Sequence, residues 1–132
     1  MPYIKKEDRQ RLTGANGKWN CSAIKTAGEL NYLLTKLALS DFWETQDNLK
    51  GAILLRTEAF FEASDKKYQN HNDVIGALMG CMLEFSRRFA AAHRRPSEFI
   101  LVMTEVLEEF YVKKTAVYED QKIIENGDVT NE

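Results

Sequence analysis

The chain has few cysteines and no long apolar segment. Of its 132 residues only two are cysteine, and Cys21 and Cys81 are widely separated, with no CxxC motif. Such cysteines are typical of reduced, buried thiols and not of a disulfide or metal framework. No apolar run approaches the ~20 residues of a membrane span. The segment MPYIKKEDR has no apolar core, so we expect no secretory signal. These absences predict a soluble, cytoplasmic protein with no membrane segment.

The chain also has no large excess of either positive or negative charge. The chain carries 18 basic and 20 acidic side chains, for a net charge of −2. This balance argues against a strongly basic nucleic-acid-binding protein, although it is compatible with a local basic patch. The charges are unevenly spread, with six basic and two acidic residues in positions 1–25 against one basic and five acidic in 115–132. The two arms are either solvated surface or pair with each other, within one protomer or between protomers.

Only two prolines occur, and apolar residues recur at helical spacing over long stretches. This pattern predicts an all-α fold, a compact bundle of about four helices in a single domain over residues 1–132. An N-terminal arm and loop is expected over 1–20, and a C-terminal polar tail over 115–132. A capping box of Thr26 and Glu29 would move the start of the first helix to residue 27. The helices are expected at about 22–43, 46–64, 72–94 and 98–114.

Two of these helices have features that indicate close contact with another helix, another subunit or a ligand. The second is apolar around much of its circumference, which is typical of a central core helix or of an oligomer interface. The third contains Gly76 and Gly80, each of which costs about 1 kcal/mol relative to alanine inside a helix. Close approach of another helix, or of a ligand, explains such a cost. His71 is assigned to the loop at 65–71 that precedes this helix.

The clearest electrostatic feature is RRFAAAHRR at 87–95. Positions seven apart return to nearly the same helix face, so Arg87 lies near Arg94, and Arg88 near Arg95. Arginine forks match the oxygens of phosphates and carboxylates, which predicts a site for a nucleotide, a phosphodiester or an acidic protein face. The alternative is that this arginine stripe pairs with the acidic residues of the next helix, Glu98, Glu105, Glu108 and Glu109.

Signals for catalysis are few. Glu58, Glu62 and Asp65 have helical spacing and resemble the magnesium-binding acids of helical nucleotide pyrophosphohydrolases. Such a site needs a further carboxylate pair, for which Glu105 with Glu108 or Glu109 is the candidate, but the order and spacing do not match that class. We find no phosphate-binding glycine motif and no serine or cysteine nucleophile motif. The sequence therefore predicts no enzyme, metal or cofactor site.

Four segments of the chain carry a family resemblance. In order they are MPYIKKEDR at 1–9, GELNYLLTKL at 28–37, NDVIGAL with LEFSRR within 72–88, and YEDQKIIENGDV at 118–129. Together they resemble a family of small uncharacterised proteins of bacteriophage and bacterial genomes, for which no activity is established. The chain departs from the family pattern after Arg88, where a segment that includes the whole predicted fourth helix precedes Tyr118.

The resemblance implies a phage or prophage context in the cytoplasm of a bacterial host. It places Asn31, Tyr32, Asn72 and Tyr118 in shared segments, as a ligand site or as a buried network that fixes helix packing. With the arginine stripe these residues make up the predicted ligand site. We expect a homo-oligomeric accessory protein that binds and sequesters a small anionic ligand, such as a nucleotide signal of bacterial defence. The alternatives are an inhibitor that binds a host protein, a nucleic-acid-binding protein and a Mg-dependent pyrophosphohydrolase.

Overall fold

The computed structural model describes residues 3–13, 24–39, 45–89, 91 and 96–131. Regular structure in these ranges is helical, which confirms the predicted all-α bundle. A π-helical turn (Tyr111–Thr115) joins the last two helices, and a short 3-10 turn (Val129–Asn131) follows them. The helices are α1 (Lys6–Thr13), α2 (Ala27–Leu39), α3 (Gln46–Glu62), α4 (Tyr68–Arg88), α5 (Pro96–Phe110) and α6 (Ala116–Asn126).

The core lies between α2, α3, α4 and α5. Helix α4 packs on α2 and α5, and α3 packs on α5, α2 and α4. The broad apolar surface of α3 therefore contacts three other helices of the same chain. The fully buried rings of Phe85 and Phe99 meet between α4 and α5, with centroids 4.1 Å apart. Removal of these apolar side chains from water supplies the main stabilisation of the bundle. Within the described ranges, no helix is both long and apolar enough to cross a bilayer.

Side-chain caps set where α2 begins. The Thr26 hydroxyl accepts from the backbone N–H of Glu29 (3.2 Å), and the Glu29 carboxylate accepts from the Thr26 hydroxyl (3.4 Å) and the backbone N–H of Lys25 (3.2 Å). The Glu29 carboxylate also accepts a hydrogen bond from Arg11 Nη2 at 2.5 Å, so this buried acid has three hydrogen-bond donors. The half of the capping box in which Thr26 caps the N–H of Glu29 is confirmed, whereas the Glu29 carboxylate binds the backbone N–H of Lys25 in place of that of Thr26. The expected start near residue 22 is wrong, because 24–26 are not helical.

Helix α4 begins earlier than expected. The side chain of Asn70 accepts from the backbone N–H of Lys67 at 2.9 Å, and this contact starts the helix at Tyr68 instead of near residue 72. The prediction that His71 lies in a loop is therefore wrong, because His71 is in the first turns of α4 and is buried. The helix ends at Arg88, with Phe89 as its C-cap, so the expected run to about residue 94 is wrong, because residues 89 and 91 are turns and not helix. Residues 90 and 92–95 lie outside the described residues.

The expected end of the last helix near residue 114 is wrong. The chain continues from α5 through the π-helical turn into α6, and remains helical to Asn126. Thr115 is buried against α4, and this contact extends the helix past the lysines at which it was expected to end. Gly127 ends α6 with φ at 87°, a left-handed conformation that glycine adopts readily, as its Asn-Gly-Asp context predicts.

Candidate functional site

A polar cluster forms where the N-terminal segment crosses the C-terminal end of α4. The Tyr3 hydroxyl donates to Glu84 Oε1 at 2.6 Å and accepts from Arg88 Nη1 at 2.6 Å. Arg87 binds the same carboxylate through Nη2, and through Nε at 3.3 Å. Positions 84, 87 and 88 lie on adjacent turns of one helix, so Tyr3 bridges two side chains that α4 already brings together. We call these four residues the Tyr3 cluster.

The charges of the Tyr3 cluster are unevenly compensated. Hydrogen bonds from Arg87 and Tyr3 hold the pKa of the Glu84 carboxyl below its usual range, and Glu84 in turn raises the pKa of Arg87. Glu84 and Arg87 therefore neutralise each other. In the described part of the chain Arg88 forms no salt bridge and donates to the Tyr3 hydroxyl. Arg88 thus carries the net positive charge of the cluster.

Aromatic rings flank this arginine. The guanidinium carbon of Arg88 lies 5.5 Å from the ring centroid of Tyr3 and 5.0 Å from that of Phe89. Both distances are within the range of cation–π attraction, which fixes the guanidinium while its side chain stays exposed. An exposed arginine held between two rings offers hydrogen-bond donors to an anion and ring faces to a planar group.

The structure describes only half of the predicted arginine stripe. Arg87 and Arg88 are exposed and adjacent, whereas Arg94 and Arg95 lie outside the described residues. The described pair does not bind the acidic residues of α5 as the alternative proposed. Arg87 binds Glu84 on its own helix, while two acids of α5 pair elsewhere, Glu105 with Lys50 at 3.7 Å and Glu109 with Lys113 at 2.8 Å.

Asn31 belongs to the interior. Its side-chain oxygen accepts from the Thr35 hydroxyl at 3.2 Å, and that hydroxyl also lies 3.4 Å from Cys81 Sγ, so the three form a buried polar contact between α2 and α4. Gly80 lets this amide approach, because a Cβ there would lie 2.9 Å from Asn31 Nδ2. Close approach of another helix, the expected reason for a glycine in α4, is thus seen at Gly80.

The other three predicted site residues have contacts with other parts of the chain or lie at its surface. Tyr32 is half-buried on α2, with the Arg9 guanidinium 5.9 Å from its ring. Asn72 is exposed near the start of α4. Tyr118 packs on the ring of His71, with centroids 4.7 Å apart. The predicted residues that the structure describes are therefore not brought together into one site.

Sequence reasoning missed a buried cluster around His71. Its Nδ1 lies 3.0 Å from the Thr115 hydroxyl, and its ring contacts those of Phe61, Phe110 and Tyr118. Burial lowers the pKa of His71 below its ordinary value. A signal was available, because His71 precedes Val74, Leu78 and Cys81 at the three- and four-residue steps of the apolar stripe. The π-helical turn, a feature frequent at functional sites, supplies Thr115.

Two open clefts lie away from the Tyr3 cluster. One, of about 390 Å³, is lined by Ile24, Lys25, Phe60, Ala63, Ser64, Asp65, Asn70 and Asp73. The other, of about 340 Å³, is lined by Lys50, Glu105, Glu108, Glu109, Val112 and Lys113. None of the six predicted site residues that the structure describes lines either cleft.

The carboxylates proposed for magnesium have other neighbours. Lys66 and Lys114 bind Glu62 at 2.8 and 3.1 Å and lower the pKa of its carboxyl. Within the described ranges, no three His, Cys, Asp or Glu side chains come together in an arrangement that could hold a metal ion.

Comparison with known proteins yields one family. The family model described as "Domain of unknown function (DUF6899)" matches residues 1–96, which is most of the chain and includes the whole Tyr3 cluster. The match ends at the first residue of α5, so the 118–129 segment lies beyond it. No curated protein and no solved structure matches the chain. The chain belongs to this family of domains of unknown function.

Proposed function

We propose that this protein binds and sequesters a small phosphate-bearing ligand, such as a nucleotide, at the Tyr3 cluster, without chemical conversion. The observation that carries the proposal is Arg88, an exposed cation that forms no salt bridge among the described residues and whose guanidinium lies beside the rings of Tyr3 and Phe89. Guanidinium donors fit phosphate oxygens, and aromatic faces stack on nucleobases. Arg87 supplies a second guanidinium when a bound phosphate replaces the Glu84 carboxylate as its hydrogen-bond acceptor.

The biological context of the proposal comes from the sequence. The segments quoted above resemble proteins of bacteriophage and bacterial genomes, and this resemblance supports a phage-type accessory role in the cytoplasm of a bacterial host. Within that role, sequestration of a nucleotide signal of bacterial defence is the use we propose for the site. We also propose that the protein acts as a homo-oligomer.

Calorimetric titration with a panel of linear and cyclic nucleotides tests the proposal. We expect binding by the wild type and loss of more than about tenfold in affinity in Arg88→Glu, because a carboxylate would replace the phosphate-binding cation. The matched control is Lys36→Glu, which makes the same charge change at an exposed residue of α2 and leaves the Tyr3 cluster intact. Equal weakening by both variants would indicate nonspecific electrostatics, and no binding by the wild type would refute the proposal.

Two variants of Tyr3 separate its ring from its hydroxyl. Tyr3→Phe keeps the ring beside Arg88 and removes the hydrogen bonds to Glu84 and Arg88. Tyr3→Ala removes both. If the ring stacks on a nucleobase, Tyr3→Phe should retain most of the affinity for nucleotides, and Tyr3→Ala should weaken nucleotides more than inorganic phosphate. An equal loss for both ligands would contradict base stacking.

A second candidate function is inhibition of a host protein. One observation favours it, namely that α6 has no buried residue and exposes Val117 (62%), Ile123 (44%) and Ile124 (78%) beside acidic residues. Exposed apolar groups with charged neighbours are common at protein interfaces. A host-lysate pull-down that returns one stoichiometric partner with the wild type, but not with Ile124→Glu, would support this function.

A further inference from the structure

The Glu84 carboxylate is a fixed part of the Tyr3 cluster. Its side chain is 16% exposed, whereas the side chain of Arg87 is 68% exposed. The carboxylate accepts hydrogen bonds from the Tyr3 hydroxyl and from Nε and Nη2 of Arg87. The same hydrogen bonds hold the pKa of Glu84 below its usual range, so the carboxylate is ionised at neutral pH. Glu84 is therefore a negative charge beside the position proposed for a phosphate.

The two arginines of the cluster differ in what their guanidinium groups bind. Both oxygens of Glu84 lie on one edge of the Arg87 guanidinium, the edge formed by Nε and Nη2. Among the described residues, the acceptor bound by the Arg88 guanidinium is the Tyr3 hydroxyl, through Nη1. A guanidinium fork binds two oxygens of one phosphate group. The cluster thus offers one open fork, at Arg88, beside a fork of Arg87 that a carboxylate already fills.

The charges of the cluster match a singly charged ligand. Two guanidinium groups and one carboxylate leave one net positive charge as long as Glu84 stays in place. A phosphodiester carries one negative charge, shared by two non-bridging oxygens. A phosphomonoester has three terminal oxygens and approaches two negative charges above its second pKa of about 6. One open fork and one net positive charge fit the phosphodiester.

A phosphomonoester meets a cost at Glu84 that a phosphodiester avoids. If Glu84 stays on Arg87, the second charge of the monoester lies close to a carboxylate and is repelled by it. If the monoester displaces Glu84, it leaves a mostly buried carboxylate without its hydrogen-bond donors. In both cases the free energy of binding is less favourable than the extra charge alone would give.

We propose that Glu84 is a specificity-determining residue of the Tyr3 cluster and that the ligand class is a phosphodiester, bound by Arg88 while Glu84 remains on Arg87. This inference rests on the proposed function, because it names the kind of phosphate that the same site prefers. The phosphodiester group is shared by cyclic nucleotides and by short linear oligonucleotides. Both also carry a base that can stack on the rings of Tyr3 and Phe89.

A matched pair of probes tests the role of Glu84. Adenosine 5′-monophosphate and its phosphate methyl ester differ by one methyl group, which turns a monoester into a diester and removes one charge. In calorimetric titration of the full chain at low salt and pH 8, well above the second phosphate pKa of about 6, the wild type should bind the methyl ester more tightly. Glu84→Gln keeps the size of the side chain and an acceptor for Tyr3. It should shift the ratio of the two affinities by about tenfold toward the monophosphate.

The matched control is Glu125→Gln on α6. Glu125 pairs with Lys122 three positions away at 3.0 Å, as Glu84 pairs with Arg87, so the control makes the same charge change in the same kind of ion pair. Its ratio of affinities should equal that of the wild type. Cyclic 3′,5′-adenosine monophosphate and the dinucleotide ApA should both show the preference of the methyl ester, and the one that binds the wild type more tightly identifies a cyclic or a linear source.

The outcomes separate this proposal from the proposed function. If neither the monophosphate nor the methyl ester binds the wild type, nucleotide binding and the phosphodiester preference are both refuted. If both bind and the monophosphate binds more tightly, the phosphodiester preference is overturned while nucleotide binding stands. That comparison needs no substitution, so it is decisive even if circular dichroism shows that Glu84→Gln is poorly folded. An unchanged ratio in a folded Glu84→Gln overturns the role assigned to Glu84.

Discussion

Two glycines on one helix give a matched test of the packing between α2 and α4. Gly76 and Gly80 are both interior to α4, so replacing either by alanine gains about 1 kcal/mol of helix propensity. At Gly76 the new methyl group meets no described atom within 4 Å, and the gain should be realised in full. At Gly80 it meets Asn31 Nδ2 at 2.9 Å, which is closer than the contact allows.

The cost at Gly80 follows from what holds Asn31. Its amide is 1% exposed and accepts from the Thr35 hydroxyl, so it moves only by weakening that hydrogen bond or by shifting α2. Such overpacking costs about 1–3 kcal/mol. We therefore expect Gly76→Ala to stabilise by about 1 kcal/mol, and Gly80→Ala to destabilise by a net of about 0–2 kcal/mol.

Urea unfolding followed by circular dichroism measures both effects. The variants should be compared at the same protein concentration, so that any self-association contributes equally to each. In a double-mutant cycle, Asn31→Ala should make Gly80→Ala less harmful, because it removes the atom that the methyl group meets. Equal stabilisation by the two glycine substitutions, or no coupling with Asn31, would refute the described contact between α2 and α4.

Three further predictions concern two buried side chains, His71 and Cys81, and the residue that caps α2. Because burial lowers the pKa of His71, its neutral form stabilises the fold above the ordinary pKa of about 6.5, and this contribution is lost as the pH falls below that value. The urea midpoint should therefore fall between pH 7 and 5 more in the wild type than in His71→Gln; equal slopes would contradict a buried neutral His71. Burial raises the pKa of Cys81 to about 11, so in a Cys21→Ser variant a thiol reagent at pH 8 should react only after unfolding, and rapid native labelling would contradict this environment. Thr26→Ala should lower the free energy of unfolding in urea by about 1 kcal/mol, because it removes the hydroxyl that caps α2. An unchanged free energy of unfolding would mean that this cap does not stabilise the protein.

The fold was predictable where local signals agree. The apolar spacing of Leu30, Leu33 and Leu34 places α2, and the Thr26–Glu29 box sets its first residue, because both act over a single turn or two. The start of α4 was missed because its cap is unusual, with the side chain of Asn70 binding the backbone N–H of Lys67. The C-terminal helix was missed because residues 115–126 contain many polar side chains, and their helix is continuous with α5.

The candidate site was predictable only in part. Arg87 and Arg88 stand out in the sequence as neighbouring cations without an adjacent acid. Their actual partners, Glu84 one turn away and Tyr3 more than 80 positions away, follow from helix geometry in the first case and from long-range packing in the second. Asn31 was assigned to the ligand site because its segment is shared with the family, yet the structure buries it against Gly80.

The sequence by itself determined the helical class, the absence of a membrane-spanning run and the amphipathic stripes of the bundle, because these depend on composition and on a period of 3.6 residues. Only the tertiary structure decided which polar residues are interior and which are exposed. His71 and Asn31 are buried and Arg88 is held between two rings, as consequences of contacts between distant segments. The contacts of Asn31 and Arg88 leave no local signature in the sequence, because they join distant segments, whereas the position of His71 on the apolar stripe of α4 did offer one.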